Sequence, residues 1–483
     1  MIKYKRVMEM IKRSENLRNN VQIIDLEGLV PQGHLLRKID TVVDFTHIYD
    51  LVEDLYCKDN GRPSIDPVVL VKMVIIQHLY GIKSLRQTVS DIDMNIAYRW
   101  FLGYDLGTKI PHFSTISYNF AHRFTGEVFE EIFTWILENA LAMGYVKPEM
   151  VFIDATHIKA NANKKKNQKV IAKKAARAYE QQLREEVDKD RENHDKKPFK
   201  DDGEPPTKQI TVSTVDPDCG LFHKGEHKKD MAYTTHTACD KNNFILDFEV
   251  TAGNVHDSMV FDKVYDKVTE RFEEVKTVVL DAGYKTPWIC KKVIDDGRLP
   301  SLPYKRPMSK KGFFFPYEYV YDEYYDCVVC PNNQVLPYVT TNRDGYREFK
   351  SNPTVCKTCP HLYKCTQSKN HQKVVTKHIW EDYIDKAEDI RHSPAGKESY
   401  GLRSQTIERV FADAKEKYGM RYTLYRGLPQ VTKWVRLKFA CMNLKKLAMW
   451  AWNPPLSRLI FGLFQDILRK LSYLQKKAVF QLN

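Results

Sequence analysis

Two short apolar runs, each closed by an acid, constrain this 483-residue chain most. They are Val151-Phe-Ile-Asp154 and Val275-Lys-Thr-Val-Val-Leu280-Asp281. Runs this short, bounded by polar residues, read as buried strands. A carboxylate where a strand stops emerges at the sheet rim, the usual ligand site of open α/β sheets. Either Asp alone is equally a turn former or a helix cap. Between them, strand character at 231–251 turns at Asp240-Lys-Asn-Asn243, and a helix is predicted around 257–272. The order strand, hairpin, helix, strand predicts an α/β core.

The rest of the chain divides around that core. Asp66 and Pro67 suit a helix start, and the apolar stretch after them predicts a buried helix stopped by Gly81. Ser84 caps a second predicted helix reaching Leu102, with further helices at 114–124 and 127–142. Residues 1–145 thus read as a helical domain, either a helix-turn-helix DNA reader or a plain bundle. The core's first part spans 146–300 and carries a charged insertion at about 160–210, whose 178–206 part reads as an exposed helix and linker. A Cys-rich element interrupts it at 301–375, a helical remainder follows at 376–450, and 451–483 reads as an amphipathic helix. Its stripe from Leu456 to Leu474 could dock on the chain's own core or on a second subunit.

Composition narrows the class. An apolar share of 43% supports a sizeable core and excludes a disordered or collagen-like chain. No apolar stretch is long enough to span a membrane, and the basic N-terminus lacks a secretory h-region. A cytoplasmic protein with reduced cysteines is expected. The net charge of +13 favours a polyanionic partner, without choosing between DNA, RNA and an acidic membrane surface.

A third acid follows in the helical remainder. Ser404 can cap a helix from Gln405, whose apolar face is Ile407, Val410, Phe411, Ala414 and Tyr418. Glu408 lies beside that stripe, and Lys415, seven residues on, shares its side of the helix. With this third acid the chain becomes recognisable. It resembles the DDE transposases of bacterial insertion sequences, in the ribonuclease-H-like superfamily, and within them the eleven-eighty-two-like group. The carrying segments are FIDATHIKANANKKK, TAGNVHDSMVF, VVLDAGY and SQTIERVFADAKEKYGMRYTLYRGL, with GRPSIDPVVLVKM and CMNLKKLA in support.

The resemblance implies that Asp154, Asp281 and Glu408 are the catalytic triad of a ribonuclease-H-like core, drawn from two strands and a helix. It implies two Mg²⁺ or Mn²⁺ ions, DNA as substrate and partner, and a homodimer on DNA. Related transposases carry a Tyr, Arg, Glu, Lys pattern, approximated here by Tyr400, Arg403, Glu408 and Lys415. Four residues separate Arg403 from Glu408 where three are expected. The pattern implies DNA phosphate contacts for Lys415 and Arg403. The chemistry agrees, because paired divalent ions activate water and stabilise the leaving oxygen. Within TAGNVHDS, Asp257 either caps the next helix, the preferred reading, or supports the metal site. His157 faces the groove or fills the sheet edge. His223 and His227 read as a surface pair.

Cys327-x-x-Cys330 and Cys356-x-x-Cys359 are knuckles with zinc spacing, and Cys365 makes a fifth candidate. An iron–sulfur cluster has compatible spacing. The resemblance favours Cys330, Cys356, Cys359 and Cys365 as zinc ligands, with Cys327 as the alternative. Cysteines 57, 219, 239, 290 and 441 read as small hydrophobes. From Arg421 to Lys446 there is no acid; Arg421, Arg426, Lys433 and Arg436 interleave with Tyr422, Tyr425 and Trp434 as a candidate DNA track. A transposase is therefore expected, with a metal-dependent nuclease lacking strand transfer, or a non-catalytic zinc-containing DNA-binding protein, as alternatives.

Overall fold

Asp66 accepts the Val68 N–H at 2.7 Å and Pro67 opens the Pro67–Leu79 helix, as their residue types dictate. Gly81 ends it with φ +65°, and a Cβ there would stand 2.9 Å from the Lys417 carbonyl oxygen, so glycine is required twice over. The computed structural model describes residues 23, 25–56, 64–124, 126–173, 177–200, 207–224 and 228–453. The basic N-terminus, Cys57, His227 and the stripe from Leu456 onward lie outside them.

The predicted helix from Ser84 to Leu102 is two helices, Leu85–Met94 and Ile96–Leu102. Asn95 sits between them in extended conformation and caps the second through the Ala97 and Tyr98 N–H groups. Helices Phe113–His122 and Gly126–Ala142 follow. This helical region packs on the Leu428–Trp452 helix, which also touches the sheet. One apolar core consequently runs from Leu36 to Ala448.

The main sheet is mixed. Strands β1 (Met150–Lys159), β2 (Asn167–Lys173), β3 (Thr207–Ser213), β4 (Gly220–Lys224), β5 (Lys228–Asp240), β6 (Ile245–Ala252), β7 (Thr277–Leu280) and β8 (Leu299–Ser301) form it. Its order is β2-β3-β4-β5-β1-β7-β8, with β6 also on β5. β1 runs antiparallel to β5 and parallel to β7, and β7 runs parallel to β8. The predicted hairpin forms, with β5 and β6 joined through Asp240–Asn243.

A second, smaller sheet follows in the order β13-β12-β11-β10-β9. Its strands are β9 (Val320–Asp322), β10 (Cys327–Val329), β11 (Val335–Thr341), β12 (Tyr346–Lys350) and β13 (Val374–His378). The Glu180–Asn193 helix docks on it, which corrects the expectation of an exposed helix. Leu183 and Val187 are buried, and Asp190 receives Arg347 Nε at 2.9 Å and Thr341 Oγ1 at 2.5 Å. Among the described residues, no helix is long and apolar enough to cross a membrane.

Candidate active site

Asp154 does not end its strand. β1 continues to Lys159 because β5 offers partners as far as Ala232, so the acid projects from mid-strand. Asp281 does follow the end of β7. Ile153 and Leu280 are register partners on adjacent parallel strands, so the two acids leave the sheet side by side.

Arg403 draws the third acid to this place. Its Nη2 donates to Asp154 Oδ2, and its Nε lies 3.4 Å from Glu408 Oε1. The Arg403 and Asp154 side chains are 8% and 15% exposed, while Glu408 is open to solvent on one side at 56%. Local structure accommodates the extra residue in the Arg-to-Glu spacing. Leu402–Gln405 form a 3₁₀ turn, and the helix starts only at Ile407. The expected Ser404 cap is absent; Thr406 holds the N-cap position without a side-chain hydrogen bond.

Burial dominates the electrostatics. It lifts the Asp154 carboxyl to about 6, against the pull of Arg403 and the Ala155 N–H, and Asp281 and Asp257 push the same way. Asp257 is raised by burial and by Asp281. It is not the cap favoured from the sequence, because His256 Nδ1 accepts the Ser258 N–H instead. Asp257 Oδ2 instead lies 3.5 Å from where a Cβ of Gly283 would stand, just behind Asp281. Its Oδ1 is 3.7 Å from His236 Nδ1. That contact is no ion pair at neutral pH, since burial and the nearby His157 and His256 push the His236 imidazole down to about 3.

Tyr284 and His236 escaped the sequence reading. Each is 1% exposed, and Tyr284 Oη and His236 Nδ1 lack hydrogen-bond partners. Arg403 Nη1 lacks one too. The Tyr284 hydroxyl is raised well above its ordinary value, first by burial and then by Asp257, Asp154 and Asp281. Burial and the site's acids raise Tyr400 as well, with Arg403 opposing. Only the GY after Asp281 could have signalled Tyr284; nothing local marks His236. His157 packs against Phe222, with ring centroids 3.5 Å apart and the planes tilted by 35°.

The Tyr284 and His236 orphans beside hard carboxylate oxygens suit a divalent cation with water in its shell, whereas the Arg403 orphan is itself cationic. In this arrangement the counter-charge is the guanidinium. Among the described residues, no three His, Cys, Asp or Glu side chains converge as a metal ion needs.

The same holds at the cysteines. Cys330, Cys356, Cys359 and Cys365 are half-buried free thiols, and Cys365 Sγ lies 3.2 Å from Tyr319 Oη. Burial raises Cys365, and the charges of Cys356 and Cys330 add to it, so those three are neighbours. Cys327 is buried on β10 and responds instead to Asp322 and Asp326, apart from that group. Cys219, Cys239, Cys290 and Cys441 are buried, as small hydrophobes are expected to be.

The basic track divides in two. Residues 421–423 pair beside the last residue of β1 in parallel, with Lys159 N–H donating to the Arg421 carbonyl at 3.1 Å. Arg421 and Arg426 are exposed there, Arg421 paired with Glu416 and Arg426 bonded to the Asn161 carbonyl at 3.0 Å. Further on, Lys433 bonds the Phe124 carbonyl, and Arg436 bonds the Gly126 carbonyl and pairs with Glu130. Trp434 is buried at 8% exposure, so it offers no face to a base. Lys415 lies half-buried on the Ile407–Glu416 helix.

Comparison with known proteins adds to this geometry. Residues 24–122 match the family described as a transposase domain of the DUF772 type. Residues 329–448, which include Glu408 but neither Asp154 nor Asp281, match the transposase DDE domain. No curated protein matches the chain. A solved structure, the Mos1 transposase paired-end complex with left transposon end, is 9% identical with a TM-score of 0.16. The match covers 51% of this chain and 61% of that one. The resemblance to DDE transposases of the insertion-sequence type is upheld by the two family matches.

Proposed function

From two transposase segments in one chain, we propose an enzyme that cuts DNA at the ends of a mobile element and joins those ends to target DNA. One observation carries the reading. Arg403 gathers Asp154 and Glu408, far apart in sequence, at the point where Asp281 leaves the neighbouring strand. An acid on β1, another after parallel β7 and a third on a helix suit a ribonuclease-H-like core.

In this reading Asp154, Asp281 and Glu408 hold two Mg²⁺ or Mn²⁺ ions, which when bound supply an activated water and a stabilised leaving oxygen. The chain's own residues do the rest. The three acids offer hard oxygen ligands at a sheet rim open on the Glu408 side. Buried Tyr284 and His236 wall the pocket and limit bulk water. Arg403 and Lys415 bring positive charge toward the DNA phosphate. Water attacks the phosphodiester and a 3′-OH departs; that 3′-OH then attacks a target phosphodiester and displaces another 3′-oxygen. A structural zinc at Cys330, Cys356, Cys359 and Cys365 and a DNA-bound homodimer complete the proposal.

The test is strand transfer by the full chain in Mg²⁺, using duplexes that carry the element's pre-cut ends. Joined products that vanish in Asp154→Ala are expected. Cleavage without joining would mean a nuclease, and no cleavage in Mg²⁺ or Mn²⁺ a non-catalytic DNA-binding protein.

A further inference from the structure

We propose that the Arg403 guanidinium is the resident counter-ion of the acid pocket in the DNA-free protein, and that a divalent cation is admitted only as the guanidinium leaves Asp154. The inference rests on the transposase reading, in which these acids bind the cation.

Arg403 is buried, yet poorly satisfied. A guanidinium carries five N–H donors. Arg99, equally buried at 6%, shows what a structural arginine looks like: Nε reaches the Asp93 carbonyl at 3.0 Å, Nη1 the Asp105 and Thr108 carbonyls at 2.8 and 2.9 Å, and Nη2 Asp93 Oδ1 at 2.5 Å. All three of its nitrogens are used. Arg403 makes one short contact with Asp154, lies at 3.4 Å from Glu408, and leaves Nη1 with no partner. A buried donor left unpaired is a penalty that a purely structural residue would have been placed to avoid.

The oxygens Arg403 occupies are the ones a cation needs. Mg²⁺ takes oxygen ligands at about 2.0–2.1 Å in near-octahedral geometry. Arg403 Nη2 already donates to Asp154 Oδ2 and the Ala155 N–H to Oδ1, so an arriving cation competes with the guanidinium for that carboxylate, and two cations so close repel. The guanidinium nevertheless cannot simply be dispensed with. Asp281 and Asp257 press on Asp154 as like charges, and a buried carboxylate needs a counter-charge. Arg403 thus stands in for the cation and keeps the acids together until one arrives.

Its position permits departure. It lies on the short turn between the Pro394–Gly401 and Ile407–Glu416 helices, beside the solvent-open Glu408. A DNA phosphate is the partner of the right chemistry, because it accepts a guanidinium through two oxygens. DNA binding and cation binding then assist each other reciprocally.

The experiment measures Mn²⁺ binding by calorimetry on the full chain without DNA. Arg403→Gln should bind Mn²⁺ about tenfold more tightly than wild type. Arg403→Lys, which loses the fork but keeps the charge, should fall between them. Adding a short duplex should tighten Mn²⁺ binding in wild type more than in Arg403→Gln. Asp154→Ala, which removes the site itself, should lose the binding. Equal or weaker Mn²⁺ affinity in folded Arg403→Gln overturns the exchange and leaves the metal reading standing. If that variant does not fold, Arg403→Lys at wild-type affinity overturns it equally. Absence of Mn²⁺ binding in every form, duplex present, removes the metal reading and this inference with it.

Discussion

Asp154 stands in a sheet whose apolar core runs from Leu36 to Ala448, whereas the four half-buried cysteines edge a sheet whose buried apolar cluster is Tyr319, Val328, Leu336 and Phe349. Both regions carry metal-binding residue types. In the first, packing holds the acids and Arg403 supplies the charge. In the second, little apolar area is buried, and small sheets of this kind need a staple. Under the proposed function the difference separates two uses of a metal: one site would be positioned by the fold and take its ions as reagents, and the other would take a zinc as its staple.

The largest expected effect breaks the first half of that comparison. Asp154→Ala, Asp281→Ala and Glu408→Ala should each lower cleavage of a labelled duplex by at least about 1000-fold, with DNA affinity largely kept. Near wild-type cleavage in any one would remove that residue from the site. The second half breaks at the cysteines. Purified protein should contain about one zinc per chain. A chelator should raise hydrogen exchange in β9–β13 before it does so in β1, and Cys356→Ser should do the same. Reduced protein without zinc or iron would leave the small sheet standing unaided.

A smaller effect sharpens the contrast within the main sheet. Asp240, on β5, is fully buried like a site residue but bound like a strut, accepting N–H groups from Lys147 at 2.7 Å, Asn242 at 3.0 Å and Phe244 at 2.7 Å. Burial outweighs those bonds and pushes its carboxyl up to about 7. For an acid raised in the folded state, folding favours the protonated form. Its contribution therefore falls as pH rises from the ordinary carboxylate value toward about 7. Urea unfolding in a chelating buffer should show stability declining by roughly 2–4 kcal/mol across that window. Asp240→Asn should flatten the decline, with lower stability throughout. An unchanged pH profile in the variant would assign the titration elsewhere.

Much of this is legible from local signals. The Asp66-Pro67 start, the Asp240–Asn243 turn and the strand run that ends at Asp281 depend on neighbours in sequence, and each forms. What sequence reasoning misses depends on partners far away. Asp154 is a mid-strand residue because β5 extends the pairing to Lys159. The Glu180–Asn193 helix looks solvated because the partners of Asp190, Thr341 and Arg347, come some 150 residues later. The family resemblance implies a DNA contact for Arg403, but its grip on Asp154 crosses 249 positions and has no local trace.

The smallest effect tests whether the basic track belongs with the acid pocket at all. Residues 421–423 pair beside β1 at Lys159, five residues beyond Asp154, so a duplex lying on Arg421 and Arg426 would run toward the acids. Their present partners, the exposed Glu416 carboxylate and a loop carbonyl, are weak competitors for phosphate. Removing one phosphate-neutralising side chain should lower the salt slope of binding by roughly 0.9. Arg421→Ala with Arg426→Ala should therefore reduce the slope by up to about 1.8, weakening all sequences alike. Lys433→Ala with Arg436→Ala should behave differently. Those side chains hold the Phe124 and Gly126 carbonyls and Glu130, joining the long Leu428–Trp452 helix to the start of Gly126–Ala142. Their removal should lower thermal stability and leave the slope of the folded fraction unchanged. A slope that falls equally in both pairs would mean that DNA displaces the internal bonds and follows the whole helix. A slope that moves in neither pair would leave the track an ordinary solvated face, with the DNA path to be sought along the basic stretch from Lys159 to Arg177.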